Sequence, residues 1–310
     1  MNIYTDNTQF AEKFLPAKFR WQNRPVSTLD KNIRPLVERL FPGALSLESA
    51  ATEDDLWNHL FIVQHSAESQ FDILTELSQE YFNLPHAILC LAGSGDKMHG
   101  FRRRPWVSLK GNLHLSAYLS PQQPVAFFHT GFTILSAVSV VQTIDALKGQ
   151  ENKASIKWVN DILLQGSKVS GVIANTLTQG KNVVGAALGV GINVEATPQV
   201  DRDLFAPGVI SLRDVIPHPD DCNLQIVFNR LSACLMENYR RLISGRYREL
   251  LDFYRERSNI IGKEVLIYSD PAEGISEEIA RGKISAIGEN LELYLENSSI
   301  PITRGKLALK

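Results

Sequence analysis

Three short motifs within residues 157–193 constrain this chain more than anything else in it. They are Lys157-Trp158-Val159-Asn160-Asp161, Lys168-Val169-Ser170-Gly171 and Gly189-Val190-Gly191-Ile192-Asn193, each in or beside an apolar run that reads as a β-strand. A lysine at the end of a buried strand is costly unless its charge meets an anion. Glycines inside strands weaken them, but let backbone approach a ligand closely. Two such lysines beside such glycines point to a site for an anionic small molecule, with a phosphorylated one the leading candidate.

The 310 residues leave room for one large domain and a small one. Apolar residues make up 44% and charged ones 21%, ordinary values for a soluble globular chain. The formal net charge of −2 supplies no global field to recruit nucleic acid or acidic membrane. Cys90, Cys222 and Cys234 are far apart and odd in number. They offer neither a metal spacing nor a disulfide framework, so a reducing, cytoplasmic location is expected. The N-terminal Met1-Asn2-Ile3-Tyr4-Thr5 has no basic start and no apolar core, unlike a signal peptide. The most apolar stretch, 125–147, is interrupted by His129, Ser136, Ser139, Thr143 and Asp145. A membrane span needs about 20 predominantly apolar residues, so this stretch is expected as a core helix, with no membrane association.

Residues 1–58, punctuated by Pro16, Pro25, Pro35 and Pro42, read as an N-terminal extension of unassigned role with one short or kinked helix near 29–41. Residues 59–260 read as the main domain. A strand at 60–63 leads to a helix over 68–82, marked by Phe71, Leu74, Leu77 and Tyr81. A strand at 87–91 precedes a long loop, 93–106, rich in glycine and arginine; loops of this kind carry function more often than packing. Then follow a strand at 112–119, the core helix, three strands ending near 194, and a helix-rich stretch from 224 to 259. From 261 onward Val265, Ile267, Ile284, Leu291, Leu293 and Leu295 alternate, with glycines at turns, and predict a small β domain over 261–310.

The central motifs resemble those of the biotin–protein ligase family. Its Lys-Trp-Pro-Asn-Asp is matched by Lys157 to Asp161, with Val159 for proline; its Lys-Leu-Ala-Gly-Ile by Lys168 to Val172; its Gly-x-Gly-Ile-Asn by Gly189 to Asn193. Leu293-Tyr294-Leu295-Glu296 and Arg304-Gly305-Lys306-Leu307-Ala308-Leu309 resemble the family's terminal domain. The resemblance implies an α+β fold: a mixed β-sheet with flanking helices, followed by a small C-terminal SH3-like β-barrel. It also implies an ATP-dependent, AMP-forming ligase. Biotin and ATP with Mg²⁺ would form biotinyl-5′-AMP, and the biotinyl group would pass to a lysine of a carboxyl carrier protein.

The same resemblance distributes the roles. Lys168 becomes the catalytic lysine at the substrate carboxylate and α-phosphate, supported by Lys157, because charge on a pentavalent phosphorus needs nearby cations. Asp161, with Asn160, would hold Mg²⁺ through oxygen. Asn193 would read the adenine edge, with Asn160 and Gly191 also on the nucleotide side. Gly171 and Gly189 admit the ligand to the backbone, Arg102 and Arg103 act on phosphates, Trp106 walls the biotin pocket, and Ser69 and Gln70 complete the substrate set. The 93–106 loop departs from the family's Gly-Arg-Gly-Arg-Arg-Gly. Phe101 stands at one of its arginines, unless a one-residue shift brings Arg102 there, and Glu68 falls within the family's Ser-Thr-Asn, where a carboxylate would repel an acidic substrate unless paired. Taken alone, Arg102-Arg103-Arg104 reads as a solvated run, Trp158 as packing, and His99 as a histidine without ligand-spaced partners. Two alternatives stay open: a lipoate- or octanoate-type acyl ligase, whose Arg-Arg-x-x-Gly-Gly-Gly-x-Val-Phe-His-Asp signature is absent, and a non-catalytic biotin- or nucleotide-binding homologue. The expected partner is the biotin carboxyl carrier domain of a carboxylase. No nucleic-acid partner is expected, since residues 1–58 carry no basic recognition helix, and a homodimer through a sheet edge is left open.

Overall fold

The computed structural model describes residues 1–310 apart from 16–18, 54–55, 81–83, 201–204, 206–207, 271–275 and 310. The first third of the chain forms β1 (Asn2–Thr5), α1 (Thr8–Ala11), β2 (Gln22–Pro25), α2 (Arg34–Leu40), β3 (Ser46–Ala51), β4 (His59–Val63), α3 (Gln70–Glu80) and β5 (Ile88–Ala92). The middle forms β6 (Leu113–Leu119), α4 (Phe128–Asp145), β7 (Ala154–Lys157), β8 (Asp161–Leu164), β9 (Ser167–Gln179) and β10 (Asn182–Ile192). The remainder forms α5 (Leu212–Val215), α6 (Leu224–Ile243), α7 (Tyr247–Glu256), β11 (Glu264–Tyr268), β12 (Glu278–Ile287), β13 (Leu293–Leu295) and β14 (Lys306–Leu309).

Strands β1 to β10 make one sheet in the order β2-β3-β1-β4-β5-β6-β10-β9-β8-β7. The β1–β4 and β4–β5 pairs are parallel and their neighbours antiparallel, so the sheet is mixed. Successive strand residues point to opposite faces, and the apolar side chains divide accordingly. Leu60, Ile62, Leu89, Leu91, Leu115 and Leu188 share a core with α4, α6 and α7. Phe61, Val63, Ile88 and Cys90 share the other with Leu36, Val37 and Leu40 of α2 and Ile73, Leu74 and Leu77 of α3. Helix α4 is the expected core helix. Its Ser136, Ser139 and Thr143 hydroxyls donate to the carbonyls of Phe132, Leu135 and Ser139 one turn back, which lets them be buried. No helix among the described residues is long and apolar enough to cross a membrane.

Several boundaries differ from the expectation for physical reasons. The helix expected over 29–41 begins only at Arg34, so Pro35 sits in its first turn, where no N–H is needed, instead of kinking its middle. The helix expected over 68–82 begins at Gln70; Tyr81 and Phe82 lie outside the described residues. The 224–259 stretch is two helices, separated at Gly245, whose φ of +80° lies in the left-handed region open to glycine. Residues 1–58 contribute three strands to the main sheet, with β1 between β3 and β4, so the sheet runs through the 58/59 division. The small C-terminal β domain is a four-stranded antiparallel sheet in the order β13-β12-β11-β14.

Candidate functional site

Backbone register alone brings the motifs together. Lys157 pairs with Asp161, Asp161 with Gly171, Gly171 with Gly191, and Gly191 with His114, one row crossing β7, β8, β9, β10 and β6. The adjacent row holds Ile173, Gly189 and Ser116. Val172, Leu188, Val190 and Leu115, one residue away, belong to the α4 core. The pleat therefore leaves the glycines, His114 and Ser116 on the opposite face, where they floor a cleft of about 220 Å³.

Trp106 explains why that floor is glycine. A Cβ on Gly191 would lie 2.5 Å from two Trp106 ring atoms, and one on Gly171 would meet Lys168 Cε at 3.3 Å and Trp106 Cζ3 at 3.5 Å. The Trp106 indole N–H can only donate, and it reaches His114 Nδ1 at 3.2 Å. His114 must then carry its proton on Nε2, which faces the Leu109 carbonyl at 3.2 Å. Burial pushes the His114 imidazole down to about 4, so it is neutral at pH 7.

The cleft is strongly cationic. Arg102, Arg104, Lys157, Lys168, Arg304 and Lys306 line it, against a single lining carboxylate, Asp161, among the described residues. Lys168 Nζ lies 2.6 Å from Asp161 Oδ1 and 5.6 Å from the Trp106 ring centroid. Its backbone is strapped in place: the Lys168 N–H donates to the Gly208 carbonyl and the Ile210 N–H to the Lys168 carbonyl. Lys157 is buried and donates to the Phe205 carbonyl. Asn160 donates from Nδ2 to the Val172 carbonyl at 2.7 Å, pinning the turn between β7 and β8 to β9. Ser69 and Gln70, at the start of α3, also line the cleft. Gln70 is buried, and neither its amide oxygen nor its amide nitrogen has a hydrogen-bond partner. Such a group costs free energy until something fills its bonds.

Two expected residues lie elsewhere. Asn193 is buried and outside the cleft lining. β10 ends at Ile192, so the pleat no longer sets its direction, and its Nδ2 donates instead to the Ile210 carbonyl at 3.2 Å. Arg103 is also outside the lining, 77% exposed and 3.5 Å from Asp72. The loop explains this. Residues 98–106 form a hairpin, closed by Gly100 N–H to the Arg104 carbonyl and Trp106 N–H to the Met98 carbonyl. At its tip Arg102 and Arg103 have φ of 56° and 57°, uncommon for non-glycine residues, and the chain turns so tightly that neighbouring arginines diverge. Arg102 and Arg104 face the cleft.

Three features had no local signal. Arg104, Arg304 and Lys306 join the cationic wall only because the hairpin and the C-terminal sheet meet there. His99, expected without partners, has Nε2 at 2.9 Å from both Asp72 oxygens, brought in by α3. Glu68 lies outside the lining and is paired with Arg39 at 2.9 Å, so it presents no bare carboxylate to a ligand. Among the described residues no three His, Cys, Asp or Glu side chains cluster tightly enough to hold a metal.

A mixed sheet with flanking helices, a glycine floor, an arginine hairpin and lysines at its strand ends makes an α+β fold with a cationic cleft. Residues 95–193 match the model of the Biotin/lipoate A/B protein ligase family. Among curated relatives, the bifunctional ligase/repressor BirA of Bacillus subtilis (strain 168) is 34% identical over 117 residues, 37% of this chain and 35% of that protein. The biotin--[acetyl-CoA-carboxylase] ligase of Paracoccus denitrificans is 31% identical over 109 residues, 35% of this chain and 44% of that protein. The matched segment thus spans about a third to less than half of the length of these relatives. The biotin protein ligase from Aquifex aeolicus, solved in complex with biotin and ATP, shares the fold at a TM-score of 0.60 and 20% identity, covering 82% of this chain and 99% of that one. The Leishmania major enzyme in complex with biotinyl-5-AMP aligns at a TM-score of 0.51 and 13% identity, covering 81% of this chain and 98% of that one.

Proposed function

We propose that the protein is an ATP-dependent biotin–protein ligase. The observation that carries this reading is the cleft's composition: among the described residues six cations and one carboxylate line it, together with an unpartnered buried amide on Gln70. A ligand that fits must carry negative charge and also offer neutral hydrogen-bonding groups. Biotin, with a carboxylate and a cyclic urea, has both, and ATP supplies further negative charge.

In this reading Lys168 neutralises the substrate carboxylate and α-phosphate as the carboxylate oxygen bonds to phosphorus and pyrophosphate departs. Lys157 and Arg102 offset charge on the phosphates, and Trp106 walls the acid over Gly171, Gly189 and Gly191. Ser69 and Gln70 take its polar end. Mg²⁺ fits a site of this kind, since it uses one or two protein carboxylates and takes its other oxygens from phosphates and water. Asp161, assisted by Asn160, would hold it, and the ion would shield the phosphate charge. Asn193 acts through the strap that fixes the Lys168 backbone, and Arg104 takes the phosphate role expected of Arg103. A carrier lysine amine, once deprotonated, then attacks the acyl carbon and AMP leaves. The carrier is a biotin carboxyl carrier domain of a carboxylase, met in the cytoplasm. The C-terminal sheet acts as an SH3-like module over the nucleotide end of a catalytic unit that includes residues 1–58. Any homodimer through a sheet edge would use β2 or β7, the terminal strands.

The test is biotin-dependent ATP–pyrophosphate exchange by the purified protein, with lipoate and octanoate as parallel acids. Exchange with biotin alone is expected. Exchange with lipoate or octanoate instead would reassign the acid, and silence with all three would end the ligase reading.

A further inference from the structure

Among the described residues Asp270, just beyond β11, is the carboxylate that meets the most cations. Its side chain is 5% exposed and meets three cations: Arg104 Nη2 at 2.8 Å and Arg102 Nη1 at 3.2 Å on Oδ2, and Lys306 Nζ at 3.2 Å on Oδ1. Arg102 also donates to the Asp270 backbone carbonyl. The three cations line the cleft, whereas Asp270 does not. Two of them come from the 98–106 hairpin and one from β14. A single carboxylate therefore holds the hairpin onto the C-terminal sheet while leaving that cluster with excess positive charge.

Two guanidinium groups and an ammonium converging on carboxylate oxygens are the same donors that bind phosphate oxygens. A polyphosphate carries several charges against the carboxylate's one, so exchange of one anion for the other is favoured electrostatically. The three cationic side chains are 36%, 54% and 25% exposed, so an incoming anion can reach them from the cleft although Asp270 itself is 5% exposed. Lys306 Nζ also lies 5.5 Å from the Phe205 ring, and the Phe205 carbonyl holds Lys157. The cluster is thus continuous with the buried lysine of the first motif.

We propose that Arg102, Arg104 and Lys306 form a polyphosphate subsite, and that Asp270 occupies it in the ligand-free protein. An incoming polyphosphate takes the cations from Asp270 and, in doing so, frees the hairpin from the C-terminal sheet. The identity of the natural ligand as a nucleoside triphosphate rests on the ligase reading; the subsite and its internal occupant do not.

The test is calorimetric binding of inorganic tripolyphosphate at fixed ionic strength to the full chain, to Asp270→Asn and to Lys306→Gln. Removing the competing carboxylate is expected to tighten binding about tenfold, and removing the lysine to weaken it by a similar factor. A purely structural role for Asp270 would loosen the cations and weaken binding in Asp270→Asn, so weaker or unchanged binding there overturns the displacement. Unchanged binding in Lys306→Gln overturns the subsite. Should Asp270→Asn melt early, Asp270→Ser is judged by the same sign. Biotin-dependent exchange is scored separately: tripolyphosphate binding with the expected signs but no exchange would sink only the ligase reading, and exchange with the wrong signs only this one.

Discussion

Lys168 is where stability and chemistry separate most cleanly. Its partner Asp161 and its own side chain are each about a quarter exposed, so the ion pair contributes at most about 1 kcal/mol to folding. Lys168→Ala is therefore expected to leave the melting temperature nearly unchanged while reducing pyrophosphate exchange by about 10²-fold or more; retained exchange would remove its catalytic role. Gly191→Ala tests the floor. Its Cβ would press on the Trp106 ring at 2.5 Å, and overpacking of this kind costs about 1–3 kcal/mol. The acid substrate's KM is expected to rise more than kcat falls, as steady-state kinetics would show. His114 sets a pH limit. Its imidazole is held near 4 when folded and titrates near 6.5 when unfolded, so the unfolded chain binds more protons below pH 6.5. Stability is full above pH 6.5 and declines as pH falls from there through 4, by up to about 3 kcal/mol from this group. His59 and His86, also pushed down mainly by burial, act in the same direction. Urea unfolding at pH 7 and pH 5 should show the loss, and His114→Gln should flatten it.

The 98–106 hairpin and the transverse row from Lys157 to His114 are the two units that build the cleft. The row needs β7 and β8 to stay in register, and Arg257 secures the start of β7. Its guanidinium donates to both Asp145 oxygens at the end of α4, to Asn152, and to the Ala154 carbonyl. Only 8% of Arg257 is exposed, so removing it strands a carboxylate and a carbonyl together. Arg257→Ala is expected to cost about 3 kcal/mol in chemical denaturation, with a smaller proportional loss of exchange in the fraction still folded; a cost below about 1 kcal/mol would show that the pair does not hold the strand.

Strands β1, β2 and β3 are integral to the main sheet. β1 lies between β3 and β4, Ile3 and Phe14 are fully buried, and Phe14 meets Phe228 of α6 edge-on at 6.2 Å. Trp57 adds a hydrogen bond from its indole to the Ser232 carbonyl across the core. Deleting residues 1–51 would bare the pairing edge of β4, and an open apolar edge recruits other chains. Such a truncation is expected to aggregate, or to melt at least roughly 10 °C lower; an equally stable, monomeric product would show that this segment is dispensable.

Long periodic elements were legible in the sequence: the α4 core helix, the strands around Lys157, Val169 and Val183, and the alternation after 261 all depend on local apolar spacing. The grouping of Lys168, Lys157, Asp161, Gly171, Gly189 and Gly191, which line one cleft, was legible from their three closely spaced motifs taken together. The three N-terminal strands were not legible, because four to six residues carry too few apolar alternations to outweigh prolines; neighbouring strands, more than local propensity, make them strands. Nor were Arg104 and Lys306, Asp72 beside His99, or the turn that points Arg103 outward. Those depend on two remote segments meeting, and on a φ sign at a hairpin tip that no single residue type dictates. Composition and spacing determine which groups are too costly to bury without a ligand. Which cations surround that ligand, and which carboxylate stands in for it, depends on the packing of the hairpin against the C-terminal sheet.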